Sequence, residues 1–413
     1  MKLARFVLPA VLLVALTSLA TAQQLRFTVW SGNEAHLSML NGFADGFAET
    51  HPGVSVQFDV IPFGDYVQKV TLQLAGGNPP DLGWLAEASA PTFIDAGVLA
   101  DVGDALRNDP DYDFADFSEP ALGLWERGDA VYGVPFSTSP FIVYFNRDLF
   151  EQAGLTPPDV LAEQGAWTWE TLKESAAAIA DASDAFGFES VDGEGYGARV
   201  WHTLVPIVRG YGGEAWSDGA CRLDSPEAVE AVQLYHDMVY EDASAVPPGE
   251  QGDFFTGRSG ITITQLSRVS KLAEADFDWG LAPMPSGPAE DVAVIGQAAV
   301  VVFEAGQQTE LATEFLAYMT NKENVAVMAE FFPPARRSVL DSEAFLSSNP
   351  MVTPQQMEIV ASGIAGGRVL PNHPNFPQID AAARPVFDEL WNADADVAAV
   401  MTRVCDAIDA QLQ

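Results

Sequence analysis

The sequence predicts an α/β protein of two interleaved lobes, on three observations. Its 413 residues exceed what one hydrophobic core usually holds. Strand-like and helix-like segments alternate with short connections, which implies a parallel sheet covered by helices. The segment Val131 to Leu155 reads as a short strand, a polar break at Ser137-Thr138-Ser139, a second buried strand and a helix start. A chain that leaves one apolar unit, passes a break stiffened by Pro135 and Pro140, and enters another reads as a crossover, hence as a hinge above which a ligand can sit.

The elements follow in order. Lys2 and Arg5, the apolar run Phe6 to Leu19 and the small residues Ala20-Thr21-Ala22 form a cleavable leader over residues 1–22, with no lipoprotein cysteine at the cut. That run is too short, and too interrupted by Pro9, to span a bilayer. Leu25 to Trp30 alternates as a strand, and a helix from about Ala35 to Thr50 carries Leu37, Leu40, Phe43 and Phe47 at helical spacing. Pro52-Gly53 turns the chain into a strand over Val54 to Ile61; Tyr66 to Ala75 is a helix stopped by Gly76-Gly77-Asn78-Pro79-Pro80. Asp81 to Leu85 is a third strand, with Asp81 tying down the Asn-Pro-Pro loop. Further on, Thr168 and Ser225 are helix caps, the latter followed by Pro226 and Glu227. His236 falls beside an apolar helical stripe and reads as structural, Ile261 to Thr264 and Ala298 to Phe303 are strand-like, and Val397 to Leu412 is an amphipathic helix.

Composition narrows the function. The formal net charge is −38, and the leader carries two bases and no acid, so the remaining chain is more acidic still. Such a chain is a poor partner for nucleic acid or an anionic membrane surface. Its acidity reads first as a solvated surface. Cys221 and Cys405 are the only cysteines; their spacing determines no bridge, and Cys405 on an apolar helix face reads as a buried thiol. No metalloprotease helix, nucleophile elbow or Walker loop is present, the five histidines lack ligand spacing, and Gly193 to Gly197 follows no strand. These absences lower the expectation of an enzyme and of any metal or cofactor.

Nine segments in order carry a resemblance: FAETHPGVSVQFDVIPFGDY, LQLAGGNPPDLGWL, VYGVPFSTSPFIVYFNRDLFEQAGL, TWETLKESAAAIA, GGEAWSDGACRLDSPEAVEAVQLYHDMV, FFTGRSGITIT, ATEFLAYMTNKENVAVM, PPARRSV and LPNHPNFPQI. Together they resemble the extracytoplasmic solute-binding proteins of ABC importers, in the carbohydrate-binding family that includes maltose-binding protein. The resemblance implies the two-lobe periplasmic-binding-protein fold with interleaved lobes, hinge crossovers and a ligand cleft between them. It implies lobe 1 from residues 23–136 with 299–332 and lobe 2 from 139–295 with 336–413, hinged near 137–138, 296–298 and 333–335. It further implies a periplasmic or secreted monomer without cofactor, which takes up a small carbohydrate and hands it to the importer's transmembrane subunits. Leu85 stands where a sugar-contacting aromatic of maltose-binding protein would match, so the ligand itself does not carry over.

A neutral sugar needs aromatic faces for its C–H surfaces and polar groups for its hydroxyls. Loops after strand ends supply Trp30, Ser31, Gly32 and Glu34, then Trp84 and Glu87, with Phe136, Ser137 and Thr138 at the crossover. From the second lobe the resemblance points to Tyr196, Trp201, His202, Trp216, Gln265 and Ser267. It adds Gly296 and Gln297 at the second crossing, and Arg368, Asn372 and Phe376 near the end. Trp30 and Trp201 read equally as packing residues, Trp216 lies in a stretch where structural roles are common, and Arg368 reads as a solvated or lobe-bridging arginine. Two other readings stay open, another ligand class and an enzyme. A sugar acid or polyol phosphate would need clustered basic groups, for which Arg199, Arg209, Arg258, Arg268 and Arg368 are candidates, and a secreted polysaccharide hydrolase would show turnover.

Overall fold

The computed structural model describes residues 23–190, 196–247, 250, 252–289 and 293–412, without the side chains of residue 120 and residues 196–199. The expected leader and residues 193–195 of the glycine-rich loop lie outside the described residues. In chain order the framework begins β1 (Gln23–Val29), α1 (Glu34–Thr50), β2 (Val54–Val60), α2 (Phe63–Ala75), β3 (Leu82–Ala86) and α3 (Ala90–Asp95). It continues through β4 (Val134–Pro140), β5 (Ile142–Asn146), α4 (Trp169–Ala182), β6 (Phe186–Ser190), α5 (Tyr196–Gly210), α6 (Pro226–Tyr240), β7 (Ser259–Thr264) and β8 (Trp279–Ala282). Then come β9 (Val294–Val302), α7 (Thr309–Met319), α8 (Pro354–Gly366), β10 (Arg368–Val369), α9 (Phe376–Phe387) and α10 (Val397–Asp409).

The first sheet runs β10-β9-β3-β1-β2, with β4 also paired to β9. β1 is parallel to β2 and β3, as strand–helix alternation requires, but β9 runs antiparallel to both β3 and β4. The sheet is therefore mixed rather than parallel. Helix α1 starts where the Asn33 side chain accepts the backbone N–H groups of Ala35 and His36, and it buries His36, Leu40, Phe43 and Phe47. Asp81 is structural: its carboxylate accepts the N–H groups of Arg26 at 2.9 Å, Gln307 at 2.9 Å and Gln308 at 3.2 Å. Arg26 in turn donates to Asn78 Oδ1 at 3.1 Å, which holds the Asn-Pro-Pro loop.

Ser137, Thr138 and Ser139 correct the expected polar break. They run inside β4, opposite Ala298, Gln297 and Gly296 of β9, and all three are buried. Pairing with a strand from far along the chain, of which the local sequence carries no sign, makes this hydroxyl-rich stretch part of a strand. The chain then enters the second sheet within one residue, at Phe141, and continues as β5. That sheet runs β8-β5-β7-β6, antiparallel except for β7 with β6. β5 is buried along its whole length: Val143 and Phe145 join the core under α4, α5, α6 and α10, while Ile142 and Tyr144 join the core of the other face.

The caps at Thr168 and Ser225 accept the N–H groups of Thr171 and Ala228. His236 is buried, its Nε2 3.0 Å from the Asn392 carbonyl, a packing position. The expected buried thiol at Cys405 is corrected. Cys221 and Cys405 form a disulfide that fastens the two-residue strand Ala220–Cys221 to α10. An apolar face and a bridge are compatible, because a disulfide is itself apolar; sequence spacing does not distinguish them.

Candidate functional site

A cavity of about 630 Å³ opens between the two sheets, and a smaller one of about 160 Å³ adjoins it through Trp30, Phe63, Gly64, Ala86, Glu87 and His202. One side is built by strand ends, as the rule for α/β sheets requires. β1 delivers Trp30, Ser31, Gly32 and Asn33, β3 delivers Trp84, Ala86 and Glu87, and the loop from β2 into α2 delivers Pro62, Phe63 and Gly64. β4 and β9 form the floor with Phe136, Ser137, Gly296, Gln297 and Ala298. The opposite side comes from His202 on α5 and from Gln265, Ser267, Arg268 and Lys271 in the turn after β7.

The floor is hydrogen-bonded in series. Glu87 is buried, and its Oε2 accepts the Gln297 backbone N–H at 2.9 Å. The Gln297 Oε1 accepts the Trp125 indole N–H at 2.9 Å, which turns the amide Nε2 of Gln297 the other way. Gln265 reaches from the second sheet to the floor, its Nε2 3.2 Å from the Ser139 carbonyl and 3.5 Å from that of Gly296. A Cβ on Gly296 would collide with that amide, so glycine here admits a protein side chain rather than only a ligand.

The two sides touch at the rims. Asn33 Nδ2 donates to Ser270 Oγ at 2.9 Å, and Thr92 Oγ1 donates to the Pro374 carbonyl at 2.6 Å. The Phe63 and His202 rings lie 5.9 Å apart. His36 sits beneath the first rim, its Nδ1 2.8 Å from Ser31 Oγ and its ring against Phe331 and Phe332. Burial, reinforced by the Arg268 guanidinium across the cleft and opposed by the Ser267 backbone, pushes its pKa down to about 4. His36 is therefore neutral at pH 7.

Of the predicted residues, Trp30, Ser31, Gly32, Trp84, Glu87, Phe136, Ser137, His202, Gln265, Ser267, Gly296 and Gln297 line the larger cavity. Trp201 and Phe376 line the smaller one, where the Trp201 indole N–H donates to Asp380 Oδ1 at 2.8 Å. Five others line neither cavity. Glu34 is exposed in the first turn of α1, and Thr138 is buried in β4 with its backbone N–H on the Pro333 carbonyl at 2.8 Å. Trp216 packs edge-on against Trp201, at 5.6 Å, beside Phe376. The Arg368 side chain is half exposed, 3.8 Å from Glu214, and Asn372 turns back to the Leu370 carbonyl at 3.4 Å. Tyr196 opens α5, with its side chain outside the described residues.

Sequence reasoning passed over Asn33, His36, Phe63, Lys271 and Phe332 as cleft residues, and named Arg268 only as a candidate base. Phe63 was within reach of the same strand-end rule, applied to β2 as well as to β1 and β3. Arg268 and Lys271 lie within one helical turn of Ser267. Phe332 had no local signal: its ring meets Phe136 at 5.3 Å and Trp84 at 5.8 Å, contacts made only in the fold.

The family model of the bacterial extracellular solute-binding proteins matches residues 33–326. The chain belongs to this family. A protein of Brucella abortus described as a binding protein is 28% identical to this solute-binding protein over 331 residues, 75% of each chain. The sn-glycerol-3-phosphate-binding periplasmic protein UgpB of Escherichia coli is 24% identical over 379 residues, 84% of each. Among solved structures, a substrate-binding protein of Listeria monocytogenes in complex with cycloalternan superposes with a TM-score of 0.83 at 21% identity, covering 94% of this chain and 98% of the other. The UgpB of Mycobacterium tuberculosis with glycerophosphocholine gives 0.79 at 20% identity, covering 93% and 98%. The solute-binding protein thus has the two-lobe fold of these structures, with the cleft between its lobes. Among the described residues no helix is long and apolar enough to cross a membrane.

Proposed function

We propose that the protein is the extracytoplasmic component of an ABC importer, which holds a sugar or oligosaccharide between its lobes and delivers it to the membrane permease, without catalysing its turnover. The observation that carries this reading is the interlobe cavity of about 630 Å³, walled by aromatic rings and edged by hydroxyl, amide and carboxylate groups. That mixture suits a neutral polyhydroxylated ligand. The lobes divide as 23–136 with 299–332 and 139–295 with 336–413. Three neighbouring strands of chain support hinge points at 137–138, 296–298 and 333–335: Ser137 pairs with Ala298, and the Thr138 N–H bonds the Pro333 carbonyl.

A specific feature favours a second reading, a polyol carrying phosphate or carboxylate: Arg268 and Lys271 both line the cavity of an otherwise acidic protein. Thermal melting against mono- and oligosaccharides, sugar acids and glycerol 3-phosphate separates the two. Ligand at a hundred times its Kd adds about 2.7 kcal/mol to the folded state, so a true ligand raises the melting temperature visibly. If only the anionic compounds do so, the sugar reading fails. Hydrolysis products from an oligosaccharide would overturn the binding reading altogether.

A further inference from the structure

Trp84 is 1% exposed and lines the larger cavity, yet among the described residues its indole N–H has no hydrogen-bond partner. Its ring is enclosed by protein. Phe136 stacks on it at 4.8 Å with 28° between planes, and Trp30 and Phe332 meet it at 5.1 and 5.8 Å. A ring surrounded in this way offers no open face to a sugar. Trp125, equally buried nearby, satisfies its own N–H on Gln297 Oε1. An acceptor is thus within the lobe's means, and the Trp84 donor is left without one. Buried donors are nearly always paired, and an unpaired one on a side chain that lines a cavity marks a place where a partner can be supplied from outside the chain.

We propose that Trp84 is a specificity-determining residue that reads the ligand through its indole N–H, donating to a ligand hydroxyl rather than stacking on a sugar ring. The inference rests on the reading of this cavity as the ligand site. The neighbouring chemistry selects the hydroxyl. Glu87, three residues on, lines the same cavity with its carboxylate fixed by the Gln297 N–H. A hydroxyl accepts from Trp84 while donating its own proton to a carboxylate or to Ser137; an ionised phosphate or carboxylate oxygen has no proton to give, and the Glu87 carboxylate repels its charge. The contact therefore belongs to the polyol part of a ligand under either reading of the function.

The test uses the full protein with 15N-labelled tryptophan. The Trp84 and Trp125 indole signals are assigned through their contacts to Phe136 and Gln297, so the titration does not depend on a variant. In the free protein the Trp84 N–H is expected to exchange with D2O at least tenfold faster than that of Trp125. Titration with maltose moves the Trp84 signal saturably, while inorganic phosphate leaves it in place. Trp84→Phe keeps the ring packing, leaves the free protein's melting temperature within a few degrees, and weakens maltose about tenfold. Maltose binding that leaves both the Trp84 signal and the affinity of the variant unchanged overturns the proposal while sparing the proposed function. If maltose does not bind, glycerol 3-phosphate becomes the probe with the same expectation. If neither binds, the compound that raises the melting temperature in the ligand screen becomes the probe, and a Trp84 exchange rate equal to that of Trp125 overturns this proposal without any ligand.

Discussion

Opening the disulfide should cost this protein a large share of its stability. The bond joins residues 184 apart, and the chain-entropy relation for a loop of that length gives roughly 5 kcal/mol. Native contacts keep some of the local geometry: the Cys221 N–H donates to Asp409 Oδ1 at 2.6 Å, and Cys405 sits on the buried face of α10. Those contacts do nothing for the unfolded chain, whose freedom is what the bond removes. The expected loss is therefore about 3–5 kcal/mol, read as a lower guanidinium midpoint in two preparations. One is the wild type held in dithiothreitol, and the other is the Cys221→Ala/Cys405→Ala double variant, which leaves no thiol. If both unfold within about 1 kcal/mol of the oxidised protein, the loop-closure argument is wrong.

Three other expectations follow from single sites. Arg336 is fully buried, its guanidinium donating to the carbonyls of Thr320, Asp113 and Tyr112 at 2.8, 3.0 and 2.8 Å; Arg336→Met strands these acceptors and Asp116, and equilibrium denaturation should show a loss of about 3–5 kcal/mol, with less than 1 refuting it. His36, with its folded pKa lowered from 6.5 to about 4, binds its proton less readily folded than unfolded, so stability falls as pH drops from about 6.5 towards 4, by up to roughly 3 kcal/mol, and is unaffected above. His36→Gln should flatten that part of the stability–pH curve, and identical slopes would contradict the assignment. A Cβ at Gly187 would strike the Ala176 backbone carbonyl, whereas at Gly296 it meets only the flexible end of Gln265. Gly187→Ala should accordingly yield little soluble protein, while Gly296→Ala folds with a near-normal melting temperature and reduced ligand affinity.

Local patterns made much of the first lobe legible. Period-2 and period-3.6 spacing located β1, α1, β2, α2 and β3 within a few residues, and the strand-end rule reached Trp30, Trp84 and Glu87 without reference to any relative. What stayed hidden depended on partners distant in sequence. Ser137 to Ser139 look like a loop until β9 is placed beside them, and the antiparallel course of β9 has no local signature. The same holds for Cys221, whose partner's helix face reads alike for a thiol and a bridge. Aromatic residues were the least legible: Trp30, Trp84 and Trp216 look interchangeable in the sequence, yet one is a half-buried wall, one an enclosed donor and one a packing ring.

The position of β9 has a bearing on when this protein becomes a protein. β3 and β4 are complete by Pro140, but the strand that belongs between them begins only at Val294. Until it emerges, a nascent first lobe has two raw strand edges and no floor. Contacts so distant in sequence form slowly. The late strand thus postpones closure of the first sheet until more than two thirds of the chain has been made.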